Sequence, residues 1–571
     1  MGVQLSPGVA ISEVDLTTIV PSVSSTAGAY AGYFRWGPVN KPILIPNEIS
    51  LVNTFGKPDA NVVVDSGVSF FSAANFLAYG NTLYVTRAAN STSYNASANT
   101  NATIQIKNKD DFQYSYLNNI KNANVAGPFI ARYPGTLGSS LAVHIIDSGN
   151  TTWDYANNFP SIPGTSAYAN SVGGANDEIH VVVTDEDGLF TGSKGTVLET
   201  FGFLSKAVDA TINGASNYWK QVIFDQSKYI YAIDPPDYAN TSNTTTSTYW
   251  GRTAPGTSFQ QLTAAYKYSL AGGTDVAITD SDLENAYDKY SNKEEFDISL
   301  IITGNANTTV QKYIINNIAN RRADCVAFIS PAYGDVVNQS GSESSKIKTW
   351  LTSLSISSSY AVADSGWKYQ FDRYNNIYRW IPLNADVAGL CVFTDTIADP
   401  WYSPAGLNRG AIKNVVKLAW NPNKTYRDEI YSLGVNPVVS FPGNGTVLFG
   451  DKTLQSKPSA FDRINVRRLF IVLEKAISTA AKYSLFEFND EYTRSQFNSI
   501  VSPFLREVQG RRGVTDFKVV CDSTNNTPAV IDANQFVGDI YIKPARSINY
   551  IQLNFVAVAT GVSFNTIIGQ A

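Results

Sequence analysis

Residues 464–483 read INVRRLFIVLEKAISTAAKY, and residues 484–513 continue SLFEFNDEYTRSQFNSIVSPFLREVQGRRG. In the first of these, Leu469, Val472, Leu473, Ala476, Ile477, Ala480 and Tyr483 recur every three or four residues, the spacing of one apolar helix face. The pair Asn489-Asp490 offers a capping side chain for a second helix. Its apolar set is Phe497, Ile500, Val501, Phe504, Leu505 and Val508, and Gly510 stands where a helix end tolerates a left-handed residue. Pro503 falls inside this pattern and predicts a kink or break. Strand-like runs follow at 517–522, 540–543 and 548–559, separated by Asn525, Asn526, Pro528 and Gly538. In the last run Ile551, Leu553, Phe555 and Ala557 alternate with Tyr550, Gln552 and Asn554, as a strand with two different faces requires. The whole predicts a unit of two helices and a small sheet that ends in a long strand.

Working outward, 571 residues exceed what one hydrophobic core serves, and two to four domains are expected. The predicted class is α+β or mixed α/β, multidomain. Residues 1–24 mix polar and apolar positions around Pro7 and Gly8. Val9, Ile11 and Val14 fit an extended arm that must lie against something else. Stronger signals run from 25 to 90: a strand at 29–34, a helix at 69–79 and a buried-type strand at 83–87. Residues 90–103 are nearly all Asn, Ser, Thr and Ala, and 91–125 reads as a small β insertion. Residues 126–356 read as an inserted α/β domain. Its predicted strands lie at 142–146, 179–183, 297–302 and 325–329, and its predicted helices at 195–208, 282–290 and 308–321. Residues 357–460 rejoin the core with a hairpin at 367–381, and 461–571 form the terminal unit.

Function classes narrow next. The net charge of -5 argues against a nucleic-acid coat or an anionic membrane as partner. Residues 1–10 have neither a basic nor an apolar signal region, so no secretory signal is expected, and no run is long enough to span a bilayer. Cys325, Cys391 and Cys521 each sit in an apolar run, without metal spacing, and are expected as buried free thiols. His144 and His180 lie in strand patterns and are expected as satisfied or solvent-facing strand residues. The run Asp185-Glu186-Asp187-Gly188 lacks calcium-loop spacing and is expected as a turn between strand and helix. Phosphate-loop and nucleophile-elbow patterns are absent, so no catalytic residue, cofactor or metal is expected. Basic residues gather at Arg463, Arg467, Arg468, Lys475, Lys482, Arg494, Arg506, Arg511 and Arg512, either a solvated helix face or a docking surface for an acidic partner.

Several segments together carry a resemblance. Ser6-Pro7-Gly8-Val9 with Glu13, Ser25-Thr26-Ala27-Gly28 and Gly37-Pro38 resemble the start of contractile tail sheath proteins. Trp401-Tyr402-Ser403-Pro404-Ala405-Gly406 with Asn408-Arg409-Gly410, the Asn465, Arg467-Arg468-Leu469 helix start, Asn489-Asp490, and Gly513 before the strand at 518–521 resemble the same family. The match covers 1–87 and 366–571, and the length and large insertion are similar to sheaths of large, myovirus-type bacteriophages.

The resemblance implies an inner domain built from both chain ends, with inserted domains facing outward. It implies a helical homopolymer around a tail tube, contracting without a cofactor to drive the tube through the host envelope. Val9, Ile11 and Val14 at one end, and Ile551, Leu553, Phe555 and Ala557 at the other, then exchange strands between subunits. Arg506, Arg511 and Arg512 become candidates to face the tube. Expected partners are further copies of the chain, the tail tube protein, and baseplate and tail terminator proteins, with no nucleic acid and no membrane insertion. The expected location is the virion tail, assembled in the host cytoplasm. The alternatives are the sheath of a non-phage contractile injection system, or a hydrolase using the middle α/β region.

Overall fold

The computed structural model describes residues 24–60, 66–99, 101–117, 126–150, 152–236, 250–262, 264–549 and 551–552. The chain forms two compact units, Met1–Tyr483 and Ser484–Ala571. In the first, β1 (Gly28–Tyr33), β2 (Ile43–Ile45), α1 (Ser66–Leu77) and β3 (Leu83–Ala88) come early. An excursion follows, holding β4 (Leu141–Asp147), β5 (Glu178–Asp185), β6 (Thr196–Ser205) and β7 (Tyr266–Ser269). The chain then returns with β8 (Leu300–Ile302), β9 (Val326–Ile329), β10 (Ala361–Asp364), β11 (Trp367–Asp372) and β12 (Ile377–Pro382). Helix α2 (Asn384–Ile397), β13 (Lys417–Leu418), β14 (Val435–Asn436) and α3 (Ile464–Ala481) complete it.

The body is a seven-stranded sheet in the order β14-β10-β9-β8-β1-β3-β2. All neighbours are parallel except the β2–β3 pair. Gly28 pairs with both Leu83 and Leu300, so β1 sits between an early and a late strand. A parallel sheet is covered on both faces, which is why β1, β8, β9 and β10 are buried at every residue and, Asp364 at the end of β10 apart, carry no charged side chain. Helix α1 is buried along nearly its whole length, including Phe70, Phe71 and Phe76. Residues 276–356, read above with the insertion, therefore supply β8 and β9 to the same sheet as β1 and β3.

The excursion carries its own antiparallel sheet in the order β7-β4-β5-β6. Its core includes Val143, Ile145, Val181, Val183, Trp219 and Ile223. The expected helix at 195–208 is a strand. Thr196, Val197, Thr200 and Phe201 favour extended backbone, and pairing with the buried β5 outweighs the local helical spacing. Asp185-Glu186-Asp187-Gly188 is accordingly a strand-to-strand turn, with the Asp185 carboxylate accepting from the Phe190 and Thr191 amides. The alternating run at 103–107 forms no strand; Ile104 and Ile106 instead bury beside Phe112 and Tyr231.

Helix α3 confirms the opening pattern, with Leu469, Leu473, Ala476, Ile477 and Ala480 buried, although Tyr483 lies beyond the helix and is exposed. It belongs to the first unit, where Ile464 and Ile471 join the main core. The second unit holds α4 (Glu491–Gly510), β15 (Val514–Val520) and β16 (Asp539–Pro544). Asp490 caps α4, its carboxylate accepting from the Thr493 amide at 2.9 Å. Helix α4 runs on through Pro503 where a break is predicted. Pro503 and Ser499, whose carbonyl loses its helical partner, are both exposed, so that oxygen is open to solvent rather than buried unpaired. The left-handed C-terminal position falls not on Gly510 but on Arg512, at φ 67. There Arg512 N donates to Gln509 O and Gly513 N to Val508 O, closing the helix with paired reversing bonds.

Candidate functional site

The hydrolase alternative is tested at the carboxyl ends of the parallel strands, where open α/β sheets hold ligands beside the point at which strand order reverses. Here that point lies between β1 and β8. The crevice is filled by the start of α2. Asn384 Oδ1 accepts from Gly304 N at 3.0 Å, and its Nδ2 donates to Gly304 O and Ser330 Oγ. Ser330 in turn donates to Asp364 Oδ2 at 2.6 Å. Gly304 has φ +57, and a Cβ there would meet the Tyr30 ring at 2.8 Å, so even one methyl group has no room. Burial pushes the Asp364 carboxyl up to about 8. Behind it Lys368 donates to Asp386 at 2.8 Å with both side chains fully buried, and Tyr79 donates to the same carboxylate.

Other candidate reactive groups are also held in structural bonds. His180 Nδ1 accepts from Phe203 N at 3.0 Å, and His144 lies 3.2 Å from Thr184 Oγ1. The three cysteines are free and buried, and burial pushes the Cys325 and Cys391 thiols up to about 12, away from the reactive thiolate. Among the described residues no cluster has the makings of a metal site, and no helix is long and apolar enough to cross a membrane.

What the body does organise is the root of its N-terminal segment. Ser24 O accepts from Ser299 Oγ at 3.1 Å, and Ala27 O accepts from the Ser299 and Leu300 amides. Ser25 Oγ donates to Asp395 Oδ2 at 2.6 Å, and Ser25 O accepts from Arg468 Nη2 at 3.3 Å. Arg468, from α3, also grips both oxygens of Asp395, from α2, at 2.8 and 2.6 Å, and donates to Cys391 O at 3.3 Å. Both charged side chains are buried. Lys475, one α3 turn-pair onward, donates to Asp297, Ile298 O and Ser299 Oγ.

This changes the reading of the basic cluster. Arg467 lies between the Tyr360 and Phe461 rings, 4.4 and 4.5 Å from their centres, and Arg463 pairs with Asp451 at 3.0 Å. Arg463, Arg467, Arg468 and Lys475 thus hold the body together. Arg506, Arg511 and Arg512, by contrast, are exposed at the end of α4, with Glu507 3.6 Å from Arg511. Ile551 is 78% exposed. Val9, Ile11, Val14, Leu553, Phe555 and Ala557 lie outside the described residues. Asp395 was not singled out from sequence, and Ser25 only as part of the Ser25-Thr26-Ala27-Gly28 run. The available signal was Arg468, which falls four residues before Val472 on the apolar stripe and so needed a buried acceptor.

In the second unit β15 and β16 form a two-stranded antiparallel sheet. Each strand has a second edge with no strand partner among the described residues. Tyr541, at 61% exposure, stands on its open surface.

Comparison with known proteins gives the family. The tail sheath protein Gp18 domain III N-terminal region model matches 27–88, the phage tail sheath protein central domain matches 276–454, and the phage tail sheath C-terminal domain matches 456–557. The first two matches flank the excursion that leaves the parallel sheet. A tail sheath protein of Vibrio phage KVP40 is 35% identical, covering 99% of this chain and all of that one. Among solved structures, a sheath tail protein of Listeria innocua has a TM-score of 0.54 at 12% identity, over 92% of this chain and 93% of that one. A sheath from an extracellular contractile injection system in its contracted state has a TM-score of 0.50 at 12% identity, over 97% of this chain and 98% of its own. Full-length similarity at this level, on a fold whose ligand crevice is closed by its own helix, places the chain in the phage tail sheath family.

Proposed function

We propose that the chain polymerises helically around a tail tube, joined by strands that pass between subunits, and that the polymer contracts to drive the tube through the host envelope. The supporting observation is the antiparallel β15–β16 pair, each strand of which has an outer edge without a strand partner among the described residues and so open to an added strand. A main-chain hydrogen bond contributes about 0.5–1.5 kcal/mol net, so a joint of several bonds holds while globular faces slide past each other. In this reading Val9, Ile11 and Val14, and Ile551, Leu553, Phe555 and Ala557, are the exchanged positions. Arg506, Arg511 and Arg512 face the tube. The polymer ends on baseplate and terminator proteins, forms in the host cytoplasm and remains in the virion. Contraction draws on new contacts between subunits rather than on catalysis.

Deleting residues 1–20 is expected to leave a folded monomer that does not polymerise. Long sheaths of that truncation in a negative-stain micrograph would overturn the reading. Reversing the charge at Arg506, Arg511 and Arg512 together is expected to abolish assembly on purified tubes at low salt; unchanged assembly removes the tube assignment.

A further inference from the structure

The buried cluster at the arm root has a chemistry that stability alone does not explain. Asp395 lies in the last turn of α2, where the helix dipole disfavours a carboxylate. Taking it and Arg468 out of water is costly, and apolar residues of similar size commonly fill such a site at no loss. What an apolar filling cannot supply is the convergence seen here. One guanidinium reaches Asp395, Ser25 O and Cys391 O, while the same carboxylate accepts the Ser25 hydroxyl. Only a planar fork of fixed donors satisfies that set, and lysine lacks it.

We propose that Arg468 and Asp395 are positioning residues that anchor the N-terminal segment. They fix where it leaves the body and pass tension on it to α2 and α3. The inference rests on the reading of residues 1–24 as an inter-subunit arm. Without the anchor, only the Ser24 and Ala27 carbonyl bonds to Ser299 and Leu300 stand between a pull on Ser24 and the first β1 pairs, Gly28 with Leu83 and Leu300, and these bonds open one at a time. With it, the pull first meets a bidentate ion pair linking two helices. Being buried, the pair is little weakened by salt.

The test uses full-length protein, comparing thermal unfolding of the monomer with urea dissociation of the assembled polymer. Ser25→Ala removes only the hydroxyl and keeps the ion pair; Arg468→Lys keeps the charge and removes the fork. Lys206→Met is the comparator. It breaks a buried pair with Asp147 in the excursion, far along the chain from the root. The anchor predicts that Ser25→Ala leaves the monomer midpoint within about 2 °C of the parent yet weakens subunit addition about fivefold. Arg468→Lys is expected to weaken it further, beyond its own loss of monomer stability. For Lys206→Met, any loss of polymer tracks the loss of monomer. Polymers of Ser25→Ala and Arg468→Lys that dissociate no earlier than their monomer midpoints require would overturn the anchor. Polymerisation of the chain lacking residues 1–20 would instead overturn the arm reading beneath it.

Discussion

The parallel sheet of the body and the hairpin of the terminal unit answer the same backbone demand in opposite ways. In the body, β1 has a strand on each side, helices on its faces and residues buried throughout. Even the polar groups at the strand ends, Ser330 and Asp364, bond to each other, and Ser330 to Asn384 at the start of α2. In the terminal unit, β15 and β16 pair only with each other among the described residues, and most of their residues are exposed or half-buried. A two-stranded sheet of this kind is marginal alone and leans on α4, where Phe497, Val501, Leu505 and Val508 are buried. The body is a closed solution; the β15–β16 pair keeps outer edges that no other strand among the described residues takes up. A chain that must keep its shape while changing its neighbours needs both kinds of part.

That contrast can be broken or sharpened by mutation. The largest effect is expected in the closed part: Lys368→Ala strands the Asp386 carboxylate in the interior and should cost about 3–5 kcal/mol in urea unfolding of the body. A change there no larger than a surface substitution would show the body to be less closed than its burial implies. Next, Asp364 is held protonated by burial, up to about 8, whereas in the unfolded chain it ionises near pH 4. Its contribution is therefore full at low pH and declines as pH rises through that window. Asp364→Asn should flatten the fall in thermal midpoint between pH 5 and pH 8, a window over which the ionisable carboxyl costs the parent about 1.4 kcal/mol per pH unit. An unchanged pH slope refutes the assignment. The smallest effect belongs to the open part. Arg512 occupies a left-handed conformation, so Arg512→Gly should stabilise the terminal unit by about 0.5–1 kcal/mol even as it removes a charge. A lower midpoint for that unit would mean that the arginine side chain makes a contact worth more than its strain.

Much of the body was legible because burial on both faces leaves a simple trace. The runs at 297–302 and 325–329 were readable as strands, though not as members of the same sheet as β1. Helix α3 was legible from its period. Three features were not. Strand β6 carries residues that also fit a helical spacing, and only its pairing with β5 decides between them. The passage of α4 through Pro503 depends on which side of the helix meets water, which periodicity alone does not settle. The arm root joins Ser25, Asp395 and Arg468, so nothing local in sequence connects them. The basic cluster misled for the same reason. Counting charges along α3 could not show that Arg467 and Arg468 point inward.

The position of β1 has a consequence for the order of synthesis. Its neighbour β3 emerges from the ribosome early, but β8, which pairs with Gly28 through Leu300, follows the whole excursion. At roughly 5–20 residues per second that delay is on the order of ten seconds or more, time in which the excursion can complete its own antiparallel sheet. Asp395 and then Arg468 come later still. The segment at the N-terminus is therefore made first and fastened last, and a nascent chain offers neighbours no firm hold until most of it has left the ribosome.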